Sequence, residues 1–203
     1  MEEKNYLQDI HDIKNLMNRS STFISLSGLA GVMAGIYALI GAYIANGILK
    51  HSRDSYVTLE SNTFKMMVLT AVTVLVLSVA TAFILTYFKA KKAEEKIWNS
   101  TAKRMVVNFL IPLVTGGIFA FLLLRNESYG LIAPITLIFY GLACVNASKY
   151  TLRDIRYLGI TVVILGLITT EYSGYALEFW ALGFGVCHII YGSIMYFKYD
   201  RNN

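Results

Sequence analysis

Long apolar runs alternate with short polar segments along almost the whole chain, a pattern that predicts a polytopic membrane protein. A bilayer core is about 30 Å thick and a helix rises about 1.5 Å per residue, so one crossing needs roughly 20 apolar residues. Six runs of the chain meet or approach that length. We place the predicted spans at residues 22–46, 66–88, 105–124, 129–147, 156–173 and 177–197.

The six runs differ in how clearly they indicate a span. The run from Met66 to Phe88 contains no charged residue and is the clearest. The fifth run is the weakest, because its apolar part ends at Thr170 and Glu171 follows at once, which predicts a short or tilted helix. Runs of this length are not the alternating segments of about ten residues that build membrane β-barrels. The predicted fold class is therefore all-α, a bundle of six transmembrane helices.

The segments outside the spans divide the chain into three predicted parts. Residues 1–21 form a cytoplasmic leader, residues 22–197 the transmembrane domain, and residues 198–203 a short cytoplasmic tail. Apolar residues recur with helical spacing across residues 3–18, which favours an amphipathic helix lying on the membrane or on the protein's own loops. A docking helix for a cytoplasmic partner is the alternative.

Basic residues are distributed unevenly between the two sets of flanks, and this sets the predicted orientation. One set carries Lys4, Lys14, Arg19, Lys89, Lys91, Lys92, Lys96, Lys103, Arg104, Lys149, Arg153, Arg156, Lys198 and Arg201. The other set carries Lys50, Arg53, Lys65 and Arg125. Because cytoplasmic flanks hold the excess of Lys and Arg, both termini are predicted to be cytoplasmic. The net charge of +5 follows from this bias, so it indicates no nucleic-acid partner.

Small residues form two neighbouring stripes on the first predicted span. The stripes consist of Ala30, Ala34, Ala38 and Ala42, and of Ser27, Gly31 and Gly35. Small side chains let helices approach closely in lipid, so we expect Gly31, Ala34, Gly35 and Ala38 to pack against another helix. The sixth span offers a matching stripe through Ala181, Gly185 and Gly192. A homo-oligomer contact is the alternative. Ser20 or Ser21 is the expected cap of the first span.

Four polar residues form a candidate intramembrane cluster: His188, Tyr140, Tyr37 and Asn108. His188 lies near the middle of the sixth span, where ionisable groups are rare and usually face the bundle interior. One interpretation is a proton-sensing or substrate-touching cluster. The other is a neutral imidazole that hydrogen-bonds a tyrosine or a backbone carbonyl.

Both prolines lie inside predicted spans, where each removes a helical hydrogen bond. Pro112 leaves the carbonyl of Asn108 without its helical partner, and Pro134 does the same for Gly130. We expect kinks at both positions, with carbonyls that need another donor.

Glu171 and Glu178 flank the turn between the fifth and sixth spans, which contains no Lys or Arg. They are either solvated carboxylates at the membrane interface or a small acidic mouth. Nothing in the chain resembles a nucleotide-binding loop, a zinc-protease motif or a catalytic triad, and we predict no catalytic, metal or cofactor-binding residues. An ion-coupled pump normally needs a charged group near mid-membrane, and the spans contain none there.

The segment from Ile13 to Leu39, with its SSTFISLSGLAGVMAGIYAL sequence, resembles the opening of an uncharacterised family of small six-span proteins from Bacteroidetes. The closing segment that begins at Trp180 (WALGFG) is similar as well. This resemblance implies a bacterial inner membrane and no known activity.

Together these features predict a non-enzymatic membrane protein that acts as an accessory, sensor or stress-related component, in contact with the lipid bilayer and in a homo-oligomer. The alternative is a small-solute transporter or channel with a polar path near His188, Tyr140 and Asn108. A continuous water-filled cavity favours transport, whereas a dry, glycine-packed interior favours the accessory role.

Overall fold

A computed structural model describes residues 23, 26–52, 61–93 and 98–201 of the chain. The long helices are α1 (Gly28–His51), α2 (Asn62–Lys92), α3 (Ser100–Arg125), α4 (Ile132–Ala147) and α5 (Asp154–Glu171). The last helix, α6, joins two α-helical pieces (Ala176–Trp180, Cys187–Met195) and two π-helical pieces (Ala181–Val186, Tyr196–Asp200). Short 3₁₀ turns, Tyr129–Leu131 and Ser173–Tyr175, precede α4 and α6. Within these ranges the chain contains no strand, which confirms the all-helical class.

Within the part of the chain that the structure describes, five helical segments are long and apolar enough to cross a membrane by length and composition: Gly28–His51, Asn62–Lys92, Ser100–Arg125, Tyr129–Ala147 and Ser173–Asp200. The remaining helix, α5, has 18 residues, and these include the charged residues Asp154, Arg156 and Glu171. This helix corresponds to the fifth predicted span, the one that the apolar pattern indicates least clearly. The predicted leader, residues 1–21, lies outside the described residues.

The first helix begins later than its apolar run, at Gly28 instead of residue 22. The reason is a set of contacts that hold the preceding segment against the α4–α5 turn. The Phe23 N–H donates to the Tyr150 carbonyl (2.8 Å), and the Thr151 hydroxyl donates to the Phe23 carbonyl (2.8 Å). A cap at Ser20 or Ser21 is therefore wrong, because those residues precede the start of the helix.

Helices α2 and α3 begin earlier than their apolar runs because polar side chains cap them. Ser61 Oγ accepts from the Phe64 N–H (3.1 Å), and Asn99 Oδ1 accepts from the Ala102 N–H (2.7 Å). Such caps satisfy amide groups that the first turn of a helix leaves unpaired. At the other end of the chain, α6 continues through Asp200, so residues 198–200 belong to a helix and not to a free tail.

The two sets of flanks lie at opposite ends of the bundle. At the end that we call the basic end, Lys198 on α6 bonds Asp154 at the start of α5 (3.1 Å). At the opposite end, Ser52 after α1 bonds Thr63 in α2 (2.9 Å). The flanks richest in Lys and Arg thus share one end of the structure.

Glycines let α1 pack directly on α6. A Cβ atom added to Gly35 would lie 2.6 Å from the Gly185 carbonyl oxygen and 2.7 Å from Ile189 Cγ1. Gly31 faces Gly192 in the same way, with 3.2 Å between its added Cβ and the Gly192 Cα. In lipid, where the hydrophobic effect between helices is weak, this close approach gains dispersion contacts.

The rest of the small-residue stripe lies near this contact. Ala38 is buried, whereas Ala34 is only partly buried. Gly31 and Gly35 of the stripe therefore pack within one chain, against Gly192 and Gly185 of the sixth predicted span.

A second glycine contact joins α4 to α5. A Cβ on Gly141 would lie 2.6 Å from the Gly159 carbonyl oxygen, and the reverse distance is also 2.6 Å. The core beside it consists of the buried residues Leu137, Leu158, Val162 and Cys187. Helices α4, α5 and α6 thus enclose the best-packed part of the molecule, while α2 packs mainly on α1 and exposes most of its surface.

We predict that Gly35→Leu lowers the free energy of unfolding by about 1–3 kcal/mol, because the added side chain must displace the α6 backbone. The measurement is unfolding in detergent. Gly47→Leu is the matched control on the same helix, since an added Cβ at Gly47 meets nothing within 4 Å. Equal stability of the two variants would contradict the proposed contact.

Candidate functional site

A buried histidine links α6 to α4 near the middle of the bundle. His188 is 5% exposed, and its Nε2 lies 2.7 Å from the Tyr140 hydroxyl. Its Nδ1 lies 2.9 Å from the Gly183 carbonyl oxygen. A carbonyl can only accept, so Nδ1 carries the proton and Nε2 accepts from Tyr140. Both ring nitrogens are therefore satisfied by the protein itself.

A cysteine extends this hydrogen-bonded pair along α4. Cys144 lies one turn after Tyr140, is 3% exposed, and places its thiol against the Tyr140 hydroxyl. Since that hydroxyl donates to His188, its oxygen is left to accept from the thiol. The hydrogen-bonded chain runs from Tyr140 through His188 to the Gly183 carbonyl of α6, with the Cys144 thiol beside its Tyr140 end.

Aromatic rings surround the chain of polar groups. The Phe184 ring lies 5.0 Å from the Tyr140 ring and 5.9 Å from the His188 ring, between centroids. Phe109 on α3 meets Tyr140 edge-on at 5.9 Å, and Trp180 packs on Phe184 at 4.8 Å. These rings occupy the space beside the histidine, which makes its immediate surroundings apolar.

A π-helical segment in α6 positions the imidazole. Over Ala181–Val186 each backbone hydrogen bond joins residues five positions apart. The His188 side chain likewise hydrogen-bonds the carbonyl of Gly183, five residues before it. Glycines permit this wider turn to pack, because a Cβ at Gly183 would meet Leu137 and a Cβ at Gly185 would meet Leu39. Short π-helical segments occur often at functional positions.

The structure brings together two of the four predicted cluster residues, His188 and Tyr140, and places the other two elsewhere. Tyr37 faces α2, where its hydroxyl lies 3.3 Å from Thr81 Oγ1. The Asn108 side chain folds back on its own helix and donates to the Arg104 carbonyl (2.8 Å). Each of these side chains hydrogen-bonds a group that lies nearer to it than His188 does. The position of a residue along its predicted span does not reveal such a partner.

The two prolines have different consequences. The carbonyl of Asn108, which Pro112 leaves without a helical donor, accepts from Asn146 Nδ2 on α4 (2.9 Å). The expected need for another donor is thus met by a neighbouring helix. A mid-helix kink at Pro134 is wrong, because α4 begins at Ile132 and Pro134 lies in its first turn, where proline is tolerated.

An ion pair at the basic end joins three helices and was missed in the sequence. Asp200 Oδ1 lies 2.6 Å from Lys89 Nζ on α2, and Asp200 Oδ2 accepts from the Gly28 N–H (2.8 Å). Lys89 Nζ also donates to the Leu26 carbonyl (2.9 Å). The carboxylate therefore caps α1 from a position 172 residues away, and the positive end of the helix dipole favours its charge.

A second carboxylate at the same end joins α5 to α6. Asp154 accepts from the Tyr199 hydroxyl (2.7 Å) and from Lys198 Nζ (3.1 Å). Burial of the Asp154 carboxyl raises its pKa, but the bonds from Tyr199 and Lys198 outweigh burial and leave the pKa below the ordinary value of 3.8. The final turn of α6 is thus fixed to α1, α2 and α5 through carboxylates.

Comparisons with known proteins add no family to this description. No family model, no curated protein and no solved structure matches the chain. Among the described residues, no three His, Cys, Asp or Glu side chains are grouped so that they could hold a metal ion.

We expect Asp200→Asn to lower the free energy of unfolding by about 1–3 kcal/mol, because it removes the negative charge that contacts the Lys89 ammonium and weakens the cap of α1. Unfolding in detergent measures the change. Arg201→Gln alters an exposed side chain one residue later and serves as the control. A loss of similar size in both variants would contradict a specific role for the carboxylate.

Acid should remove the contribution of Asp154 to stability. A carboxyl whose pKa is lower in the folded state stabilises the fold above its unfolded pKa, and this contribution disappears as the pH falls through the folded pKa. Unfolding of the wild type and Asp154→Asn, measured from about pH 6 to about pH 3, should give a difference that shrinks with acid. A difference that stays constant over this range would show that Asp154 acts through packing alone.

Proposed function

We propose that this chain is a six-span integral protein of the bacterial inner membrane, with both termini cytoplasmic, that acts as a non-enzymatic accessory, sensor or stress-related component. The observation that carries the proposal is the closed hydrogen bonding of His188. Its two nitrogens are paired inside the protein at 2.7 and 2.9 Å. A group placed to bind a passing solute would instead leave a donor or an acceptor free.

Helix packing supports the sixth span, and the distribution of Lys and Arg supports the orientation. Helix α5 packs on α4 through Gly141 and Gly159 and alternates in direction with its neighbours, as a sixth crossing requires. The Lys- and Arg-rich basic end corresponds to the cytoplasmic side under the positive-inside rule. The same rule places the described end of α6, Asp200, on that side.

The separation of the polar residues weighs against the transport alternative. A path near His188, Tyr140 and Asn108 would need these side chains on one water-accessible surface. Asn108 is bonded to its own helix, and aromatic rings pack around the other two. The glycine stripe of α1 packs against α6, so a homo-oligomer would form through another face of the protein. Helix α2 offers a large exposed apolar surface for such a contact.

The histidine also supplies a physical means of sensing acid. A proton on Nε2 would remove the acceptor of the Tyr140 hydroxyl and place a charge in an apolar interior, where charge is costly. Hydration of the imidazolium would require α4 and α6 to separate around it. Protonation and opening are therefore coupled, as in other histidine switches.

The two native cysteines can report this opening. Cys144 and Cys187 are free and buried, so a small membrane-permeant maleimide should label them more slowly than it labels the unfolded protein at about pH 7.5, and this protection should be smaller at about pH 5. Each rate is divided by the rate of the unfolded protein at the same pH, which removes the pH dependence of the thiol. The acid-induced increase should disappear in His188→Phe.

Two results decide between the candidate functions. Equal protection of the wild type at both pH values would contradict acid sensing by His188. Acceleration of small-solute leakage by the protein in liposomes, lost in Tyr140→Phe, would favour the transport alternative instead.

A further inference from the structure

Helix α2 lies at the edge of the bundle and is enclosed only near its two ends. Among the described helices it packs along α1 alone. Its buried residues are Thr63, close to its start, and Ala90, close to its end, and every other residue of α2 is at least partly exposed. A helix with so little buried surface can change its position without disturbing the core that α4, α5 and α6 enclose.

The two ends of α2 are held by different interactions. At the end opposite the basic end, Ser52 bonds Thr63 (2.9 Å), a residue only 11 positions away, so the chain itself keeps this end of α2 close to α1. At the basic end, Lys89 Nζ bonds Asp200 Oδ1 (2.6 Å), 111 positions away, and the Leu26 carbonyl (2.9 Å). The first end is therefore a pivot, whereas the second end can separate once the bonds of Lys89 are broken.

The ion pair at the basic end is enclosed but lies where its two charges can be hydrated. The Lys89 and Asp200 side chains are 17% and 9% exposed. Lys89 is the first residue after the uncharged run of α2, which ends at Phe88. Separation of two charges is far less costly at the edge of a membrane than at its centre, because water can replace each partner. The pair can therefore open as well as close.

A buried hydroxyl beside the ion pair opposes the closed state. Thr86 lies three residues before Lys89, so the two side chains share one face of α2. The Thr86 hydroxyl oxygen is buried and has no hydrogen-bond partner among the described residues. Thr70 and Thr73 of the same helix instead donate to the carbonyls four residues before them, each at 2.8 Å. A buried hydroxyl without a partner destabilises the conformation that buries it.

We propose that α2 is a movable helix and that the Lys89–Asp200 pair is the latch that holds its basic end closed. Release of the latch lets this end swing away from α1 and α6 about a pivot at Thr63. The ion pair favours the closed state, whereas the Thr86 hydroxyl favours the open state, in which it can bond water or the backbone of α2. Asp200 and His188 lie on the same helix, so a displacement of α6 would act on the latch, and this link alone rests on the proposed function.

Distances between spin labels at the two ends of α2 distinguish the closed state from the open state. They are measured by pulsed electron paramagnetic resonance on the whole protein in lipid nanodiscs. The labels are attached to introduced cysteines in a parent variant whose two native cysteines are replaced by alanine. One pair, Phe88→Cys with Tyr157→Cys, spans the basic end, and the other, Met66→Cys with Tyr43→Cys, spans the opposite end. All four of these side chains are exposed.

The latch predicts opposite effects of two substitutions on the basic-end distance. Asp200→Asn should add a second, longer distance and raise the ratio of open to closed protein about tenfold or more, because a charge-assisted bond is lost. Thr86→Val, added to Asp200→Asn, should lower this ratio about tenfold, since valine has nearly the same shape and no hydroxyl that needs a partner. The opposite-end distance should stay the same in every variant.

Lys91→Gln in the parent and Thr73→Val in the Asp200→Asn variant are the matched controls. Lys91 is exposed, and the Thr73 hydroxyl already bonds its own helix, so neither control should change the basic-end distances. A single unchanged distance in Asp200→Asn, an equal increase in both label pairs, or a ratio that Thr86→Val does not lower would overturn the latch. None of these substitutions alters His188, so failure of the latch would leave acid sensing by that residue intact.

Discussion

Polar groups inside an apolar bundle must find their partners within the protein, and this constraint accounts for the hydrogen bonds that join the helices. The carbonyl released by Pro112 is met by Asn146, and the first amide of α1 is met by Asp200. His188 satisfies both of its nitrogens through Tyr140 and Gly183. Thr86 is an exception among the described residues, because its buried hydroxyl has no partner.

Close glycine packing and internal hydrogen bonding act together around His188. Glycines bring α1 against α6 and α4 against α5, and the π-helical segment then turns the imidazole toward Tyr140. The site has its polar groups paired with one another within a packed core. A change in its charge must therefore be transmitted to the helices. This is the physical basis for proposing a sensor and not a transporter or channel.

Apolar length and helical spacing predicted the helical class and the weakly apolar fifth helix, and the Lys and Arg counts predicted which flanks share an end of the bundle. The position of His188 within its predicted span also indicated that the imidazole needs a tyrosine hydroxyl or a backbone carbonyl as its hydrogen-bond partner, since few other polar groups exist at that depth. Three features could not be predicted. Asp200 caps α1, which is distant in sequence. Helix α1 itself starts late because the segment before it contacts the α4–α5 turn. Tyr37 and Asn108 hydrogen-bond groups that lie nearer to them than His188 does. Each depends on which helices become neighbours, and periodicity along one segment does not specify that.

The protonation state of the two His188 ring nitrogens can be measured directly. Nitrogen-15 NMR of histidine-labelled protein in lipid distinguishes protonated from unprotonated ring nitrogens. We predict a neutral ring at about pH 7, with the proton on Nδ1 and an unprotonated Nε2 whose resonance moves in Tyr140→Phe. A proton on Nε2 at this pH, or no response to the loss of the Tyr140 hydroxyl, would contradict the closed hydrogen-bonded chain.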